Sequence, residues 1–230
     1  MDCASYLRHL GREHAAFRAC LDGDLSAAVE HCGDWTLYDL ANHLGGQNHW
    51  AAAAVTERRG DHTVPAAPRE RTALVGWFED SCAALTRALD TDPLTEAWTF
   101  HPPHTAGFWQ RRRCLEALVH RWDAENALGT PSPMDAGLAA EGVAEVLDTM
   151  VPRQRSRGRA QPPASALRLD ATDTAHTWTY GPGVPVARVS ATAEDLLLLL
   201  WGRARDDDRA YVWEGDRRAG RLVLEGPLTA

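Results

Sequence analysis

The stretch on which the fold turns is Trp35-Thr36-Leu37-Tyr38-Asp39-Leu40-Ala41-Asn42-His43-Leu44. Thr36 is a residue type that caps helix N-termini, and the acidic Asp39 follows it at the spacing of a capping box. Trp35 and Leu40 fall at the two positions of a hydrophobic staple. The stretch therefore predicts a helix that starts at Leu37 and runs to about Thr56.

Working outward, the same helical periodicity recurs. Residues 4–21 set Leu7, Leu10, His14, Phe17 and Leu21 on one face. Residues 69–90 turn Leu74, Trp77, Phe78, Leu85 and Leu89 inward. A fourth helix is predicted from about Thr105 to Leu128, stopped by Gly129-Thr130-Pro131, and a fifth from about Met134 to Val151. Residues 61–68 and 91–104 read as loops. Long helices with short connections predict an up-and-down four-helix bundle with one helix added.

The composition then changes. Residues 152–164 hold four Arg, three Pro and no large apolar residue, which reads as a linker. Beyond it, Ala166–Asp170, His176–Tyr180 and Tyr211–Trp213 read as strands, and Ala193–Arg203 as an apolar helix. The expected class is mainly α with a small α+β tail. The expected division is a bundle over 1–151, a linker over 152–164 and an α+β domain over 165–230.

The 230 residues carry 24 basic against 32 acidic side chains, a formal net charge of −8, and every basic residue is Arg. An acidic chain lacks the basic surface that phosphate contacts need, so nucleic acid is not an expected partner. Without Lys, Schiff-base chemistry and a P-loop lysine are both excluded. The five cysteines are scattered, with no C-x-x-C, which argues against a disulfide scaffold and a cysteine–zinc knuckle. The start of the chain has no apolar signal segment, and no apolar run approaches the ~18 residues of a membrane span. A cytoplasmic protein with no membrane partner is expected, as a monomer or homodimer.

Three positions bear on chemistry. Glu116 and His120 stand four residues apart, so they share one helix face and can offer two ligands to one metal. Arg112-Glu116-His120 is equally readable as a ladder of ion pairs on a solvated face. His43 lies beside the buried stripe of its helix, either as a helix-face histidine with a local hydrogen bond or as a third ligand. Two His and one Glu would leave open coordination positions. His49 is about 240° round the helix from His43 and cannot share its metal. His14 ranks below His43 as a ligand. His101-Pro102-Pro103-His104 reads as a surface or mouth segment, and Cys114 as packing.

These residues also carry a family resemblance. Gly33-Asp34-Trp35-Thr36-Leu37-Tyr38-Asp39-Leu40 through His43-Leu44 resembles the G-W-T-x-x-D-L-x-x-H-L segment of the DinB-like, mycothiol-dependent maleylpyruvate isomerase family. Glu116 through Val119-His120-Arg121-Trp122-Asp123-Ala124 is similar to its E-x-x-V-H-R-W-D-A helix. Asp195-Leu196 to Gly202-Arg203, with the later Gly215-Asp216, resembles the pattern of its sterol-carrier-like C-terminal domain. The likeness covers nearly the whole chain. One departure is Leu115, where many relatives have His directly before the Glu.

The resemblance implies a divalent metal, most often zinc, held by His43, Glu116 and His120. It implies mycothiol as the thiol cosubstrate, and Arg203 as the residue that assists the substrate. A coordinated thiol is deprotonated, which suits isomerisation of a cis double bond or S-transfer to a small, carboxylate-bearing electrophile. Arginines such as Arg203 or Arg113 would hold the carboxylate. The competing expectations are a metal-dependent hydrolase or lyase using water, and a non-catalytic small-molecule binder with a structural metal.

Overall fold

The computed structural model describes residues 1–205, 207 and 209–229. It divides into two compact units, Met1–Ser132 and Pro133–Ala230.

The first unit is a four-helix, up-and-down bundle of α1 (Cys3–Cys20), α2 (Leu37–Thr56), α3 (Arg71–Leu89) and α4 (Ala106–Ala127). The predicted capping box at the start of α2 is present in full. Thr36 caps the helix through Asp39 N, and the Asp39 carboxylate returns to the Thr36 N–H at 2.9 Å. The segment ahead of the cap folds back on itself, with Val29 N–H donating to Trp35 O and Leu37 N–H to Ala27 O. This fixes where α2 enters the bundle. Phe17, Leu21, Leu37, Leu40, Leu44, Leu74 and Phe78 are fully buried and form the core of this end.

α4 packs against α1 and α2 and is buried along most of its length, polar residues included. Arg112, Arg113, Glu116, His120, Arg121 and Asp123 are all removed from water. The solvated ladder is therefore not what this helix carries: its charges pair inside the bundle.

The second unit starts with a helix that the sequence suggested would belong to the bundle. α5 (Ala136–Glu145) packs against α7 (Ala193–Leu200). Gly142 permits the approach, since a Cβ there would lie 2.9 Å from the methyls of Leu197. The division thus falls at Ser132/Pro133 rather than after 151. The helix continues through a π-helical turn (Val146–Met150) into α6 (Val151–Ser156), so the first part of the expected linker is helical. Pro152 is tolerated because it sits at the first positions after that turn.

The sheet has the order β2-β1-β3-β4, built from β1 (Ala166–Ala171), β2 (Thr177–Tyr180), β3 (Pro185–Ala191) and β4 (Val212–Gly215). β1 pairs parallel with β3, and the two outer pairings are antiparallel. β3 is a central strand with alternating burial that the sequence reading did not assign. α8 (Arg217–Val223) was likewise not anticipated; Gly220 lets it close on the sheet, where a Cβ would lie 2.9 Å from the Ala187 Cβ. Among the described residues no helix is long and apolar enough to cross a membrane.

Candidate metal centre

α2 and α4 bring His43, Glu116 and His120 together. One ligand atom from each lies within 4.8 Å of the others. His43 Nε2 is 3.3 Å, and His120 Nε2 3.8 Å, from the same oxygen, Glu116 Oε1. The other carboxylate oxygen, Oε2, is engaged by Arg113 Nη1 at 2.6 Å and Arg112 Nη2 at 3.0 Å. Glu116 is thus divided: one oxygen faces two arginines and the other faces two imidazoles.

The imidazoles are held as well. His120 Nδ1 lies 3.0 Å from Asp123 Oδ2. A ring that donates its Nδ1–H to a carboxylate presents Nε2 as a lone pair, the arrangement that orients metal-binding histidines. Trp35 lies against His43 with ring centroids 5.0 Å apart, and the His43 and His120 rings meet edge to face at 5.2 Å. The His43 side chain is 28% exposed, whereas those of Glu116 and His120 are below 10%. Access to the cluster is therefore from the His43 side.

The electrostatics follow from these contacts. Burial alone would raise the Glu116 carboxyl, but Arg112, Arg113 and the His43 bond outweigh it and hold the group well below the usual carboxylate range. Burial pushes the His120 imidazole down against the pull of Asp123. An ionised carboxylate beside a neutral imidazole is the state a divalent cation needs from its ligands. The donor set of two imidazole nitrogens and one carboxylate oxygen suits zinc and other borderline divalent ions.

A second layer stands behind the arginine. Arg113 is fully buried, and its Nη2 donates to Asn48 Oδ1 at 2.9 Å and to Leu44 O at 3.4 Å. Asn48 Nδ2 in turn lies 3.3 Å from His14 Nε2 and from Ser81 Oγ. The expectation that Arg113 holds a substrate carboxylate is corrected here, because its guanidinium is spent on Glu116 and Asn48. Burial, with Arg113 nearby, pushes the His14 imidazole down to about 3, so His14 stays neutral.

The remaining candidates have contacts of their own. His49 packs beside Trp77 at 5.6 Å. His104 Nδ1 is 2.7 Å from the Thr99 hydroxyl, which donates to His101 O, so that segment is knit by local bonds. Cys114 is buried. Burial pushes the Cys82 thiol up to about 12 and Cys20 up to about 11, far from reactive thiolates. Arg203 belongs to the second unit, just beyond α7. Its guanidinium donates to Trp201 O at 3.0 Å and lies 5.3 Å from the Trp201 ring centroid.

Sequence reasoning missed Asp123, Asn48 and the inward role of Arg113. Asp123 and Arg113 each stand three residues from a ligand on the same helix, a spacing that marks side-chain neighbours. Asn48 carries no such local signal.

Residues 7–125 match the family model described as the mycothiol maleylpyruvate isomerase N-terminal domain, and residues 137–222 match the MDMPI C-terminal domain. An uncharacterised protein of Mycobacterium tuberculosis is 25% identical over 217 residues, covering 82% of this chain and 80% of that protein. A second from the same organism is 27% identical over 170 residues, 66% of this chain and 87% of that protein. Two crystal structures of a mycothiol-dependent maleylpyruvate isomerase share the fold. One, of a point variant, superposes with a TM-score of 0.67 at 16% identity, covering 92% of this chain and 93% of that one. The other gives 0.63 at 19% identity, over 90% and 91%.

Proposed function

The chain belongs to the mycothiol maleylpyruvate isomerase family, and on that premise we propose that it is a metal- and thiol-dependent enzyme. The proposed reaction is cis–trans isomerisation of, or S-transfer to, a small carboxylate-bearing electrophile. Mycothiol is the proposed thiol, zinc the proposed metal, and His43, Glu116 and His120 the proposed ligands.

The observation that carries the reading is the division of Glu116. Its Oε2 is occupied by Arg112 and Arg113, while Oε1 faces both histidine Nε2 atoms. An ion-pair ladder would need only the first half of that arrangement. A divalent cation held there would supply Lewis acidity, favouring the ionised form of a thiol at neutral pH. The protein groups do the rest. Asp123 keeps the His120 proton on Nδ1, and the arginines keep Glu116 ionised. Trp35 limits the movement of the His43 ring. Arg203 is proposed as the anchor for the substrate carboxylate, through paired charge-assisted hydrogen bonds.

The test is metal analysis of the purified protein, followed by incubation of maleylpyruvate with and without mycothiol. Turnover that requires the thiol, with about one divalent ion per chain, is expected. Equal turnover with water alone would move the assignment to hydrolysis. Metal content unchanged in His43→Ala would sink the ligand assignment.

A further inference from the structure

The hydrogen bonds around Asn48 fix the tautomer of a buried histidine. A guanidinium only donates, so Arg113 Nη2 makes Asn48 Oδ1 the acceptor and leaves Nδ2 as the donor. Ser81 gives its own proton to Phe78 O at 2.6 Å, so its Oγ accepts from Nδ2. His14 Nε2 faces the same Nδ2 and must accept as well. Nε2 therefore presents a lone pair, and the neutral ring carries its proton on Nδ1. A protonated ring would set two donors against each other, in accord with the downward push that burial gives this imidazole.

His14 is 5% exposed, yet it lines a cavity of about 420 Å³ between α1 and α3. Its Nδ1 finds no acceptor among the described residues and is not sealed in protein. Only a molecule inside the cavity can take that proton. The space exists because α1 packs chiefly on α4 and α3 on α2, and because the facing residues are small. Gly11 and Ala15 of α1 and Ala83 of α3 line it. A Cβ at Gly11 would meet nothing within 4 Å, although glycine inside a helix is destabilising relative to alanine.

The interior is apolar and uncharged. Phe78 is fully buried in its wall, and burial pushes the Cys82 thiol beside it up to about 12, so the sulfur stays protonated. The charged lining residues, Arg18 and Glu79, are paired with each other at 2.9 Å. An ionised ligand would lose its hydration here without a counter-charge. A pure hydrocarbon would leave the Nδ1–H buried and unsatisfied. A cavity of roughly 150 Å³ holds one benzene ring, so this one has room for two fused rings.

We propose that the cavity between α1 and α3 is a binding site for a small, uncharged ring compound bearing a carbonyl oxygen, which accepts the His14 Nδ1–H. None of the proposed metal ligands lines it, so the proposal stands apart from the isomerase reading.

The experiment is NMR titration of the full-length protein with indanone and with indane, which has the same fused rings and no oxygen. The wild type is expected to bind indanone saturably, with amide shifts centred on Gly11, Ala15 and Ala83. Long-range proton–nitrogen spectra should show the His14 proton on Nδ1. His14→Phe keeps a ring against Phe78 and removes the donor. The ratio of the indane to the indanone dissociation constant is expected to fall about tenfold in that variant. Gly11→Leu fills the cavity from the exposed face of α1 and should abolish binding of both compounds. No saturable indanone binding by the wild type overturns the proposal. So does a His14 proton on Nε2, or an unchanged ratio in a folded His14→Phe protein. If His14→Phe does not fold, Gly11→Leu decides: undiminished indanone binding there overturns the site.

Discussion

Arg113 and Glu116 stand one turn apart on α4, with Nη1 2.6 Å from Oε2 and both side chains buried. On an exposed helix such a pair contributes a few tenths of a kcal/mol. Here it sits inside the bundle, and removing one partner leaves a charge with part of its compensation gone. Arg113→Met is therefore expected to destabilise the metal-free protein by about 3 kcal/mol or more. With only Arg112 left on Oε2, the Glu116 carboxylate is held less firmly in place, so metal affinity should also fall, by roughly 10–100-fold. Urea unfolding measures the first effect and competition with a chromophoric chelator the second. A variant with wild-type affinity would show that Arg113 does not position Glu116.

The difference between Arg113 and Thr36 shows what is legible in a sequence. The capping box at Thr36 is closed by Asp39, three residues on, and its geometry is local, so the residue types announce it. The Glu116/His120 pair is local in the same sense. Whether that face of α4 meets water depends on α1 and α2, far away in the chain, and no spacing within the helix reports it. The same limit explains the displaced boundary. The apolar stripe of α5 predicts a buried face without saying which unit covers it, and the covering residue is Leu197. β3 was missed because its two valines, Val186 and Val189, stand among Pro, Ala, Arg and Ser just after a Gly-Pro-Gly turn, and on its buried face only Val189 is larger than Ala.

His14 sets a pH dependence. Burial, then Arg113, pushes its imidazole from an ordinary value of 6.5 to about 3. The folded protein therefore keeps the ring neutral, while the unfolded chain takes up a proton near 6.5. Stability from this group is fully present above pH 6.5 and is lost progressively as pH falls toward 3. The span corresponds to several kcal/mol at about 1.4 kcal/mol per pKa unit. Unfolding midpoints of the metal-free protein between pH 7 and pH 4 should fall in the wild type and fall less steeply in His14→Gln. Parallel curves for the two would remove His14 from the account.

The paired glycines of α2 predict stability changes of opposite sign. Gly45→Ala drives a methyl into the Trp77 ring and is expected to destabilise by about 1–3 kcal/mol. Gly46→Ala meets open space in a regular helix and is expected to stabilise by about 0.5–1 kcal/mol. Thermal unfolding of the two variants gives the comparison. Equal destabilisation by both would mean that the space beside Gly46 is not open in solution.

Asp123 separates orientation from charge at the metal centre. Its Oδ2 holds His120 Nδ1 at 3.0 Å, and the carboxylate is nearly fully buried. Asp123→Asn retains an oxygen that can accept the Nδ1–H but removes the negative charge that makes the imidazole a stronger donor to a cation. Asp123→Ala removes both. Metal affinity is therefore expected to fall in two steps, with the Asn variant between wild type and Ala and the full loss roughly 10–100-fold. Substituting cobalt for the native metal adds a second readout, since a reoriented His120 ring changes the visible absorption. If Asn and Ala weaken binding equally, charge rather than orientation is what Asp123 supplies. If neither does, His120 binds through the nitrogen that Asp123 now holds, and the assignment of Nε2 as the ligand atom fails.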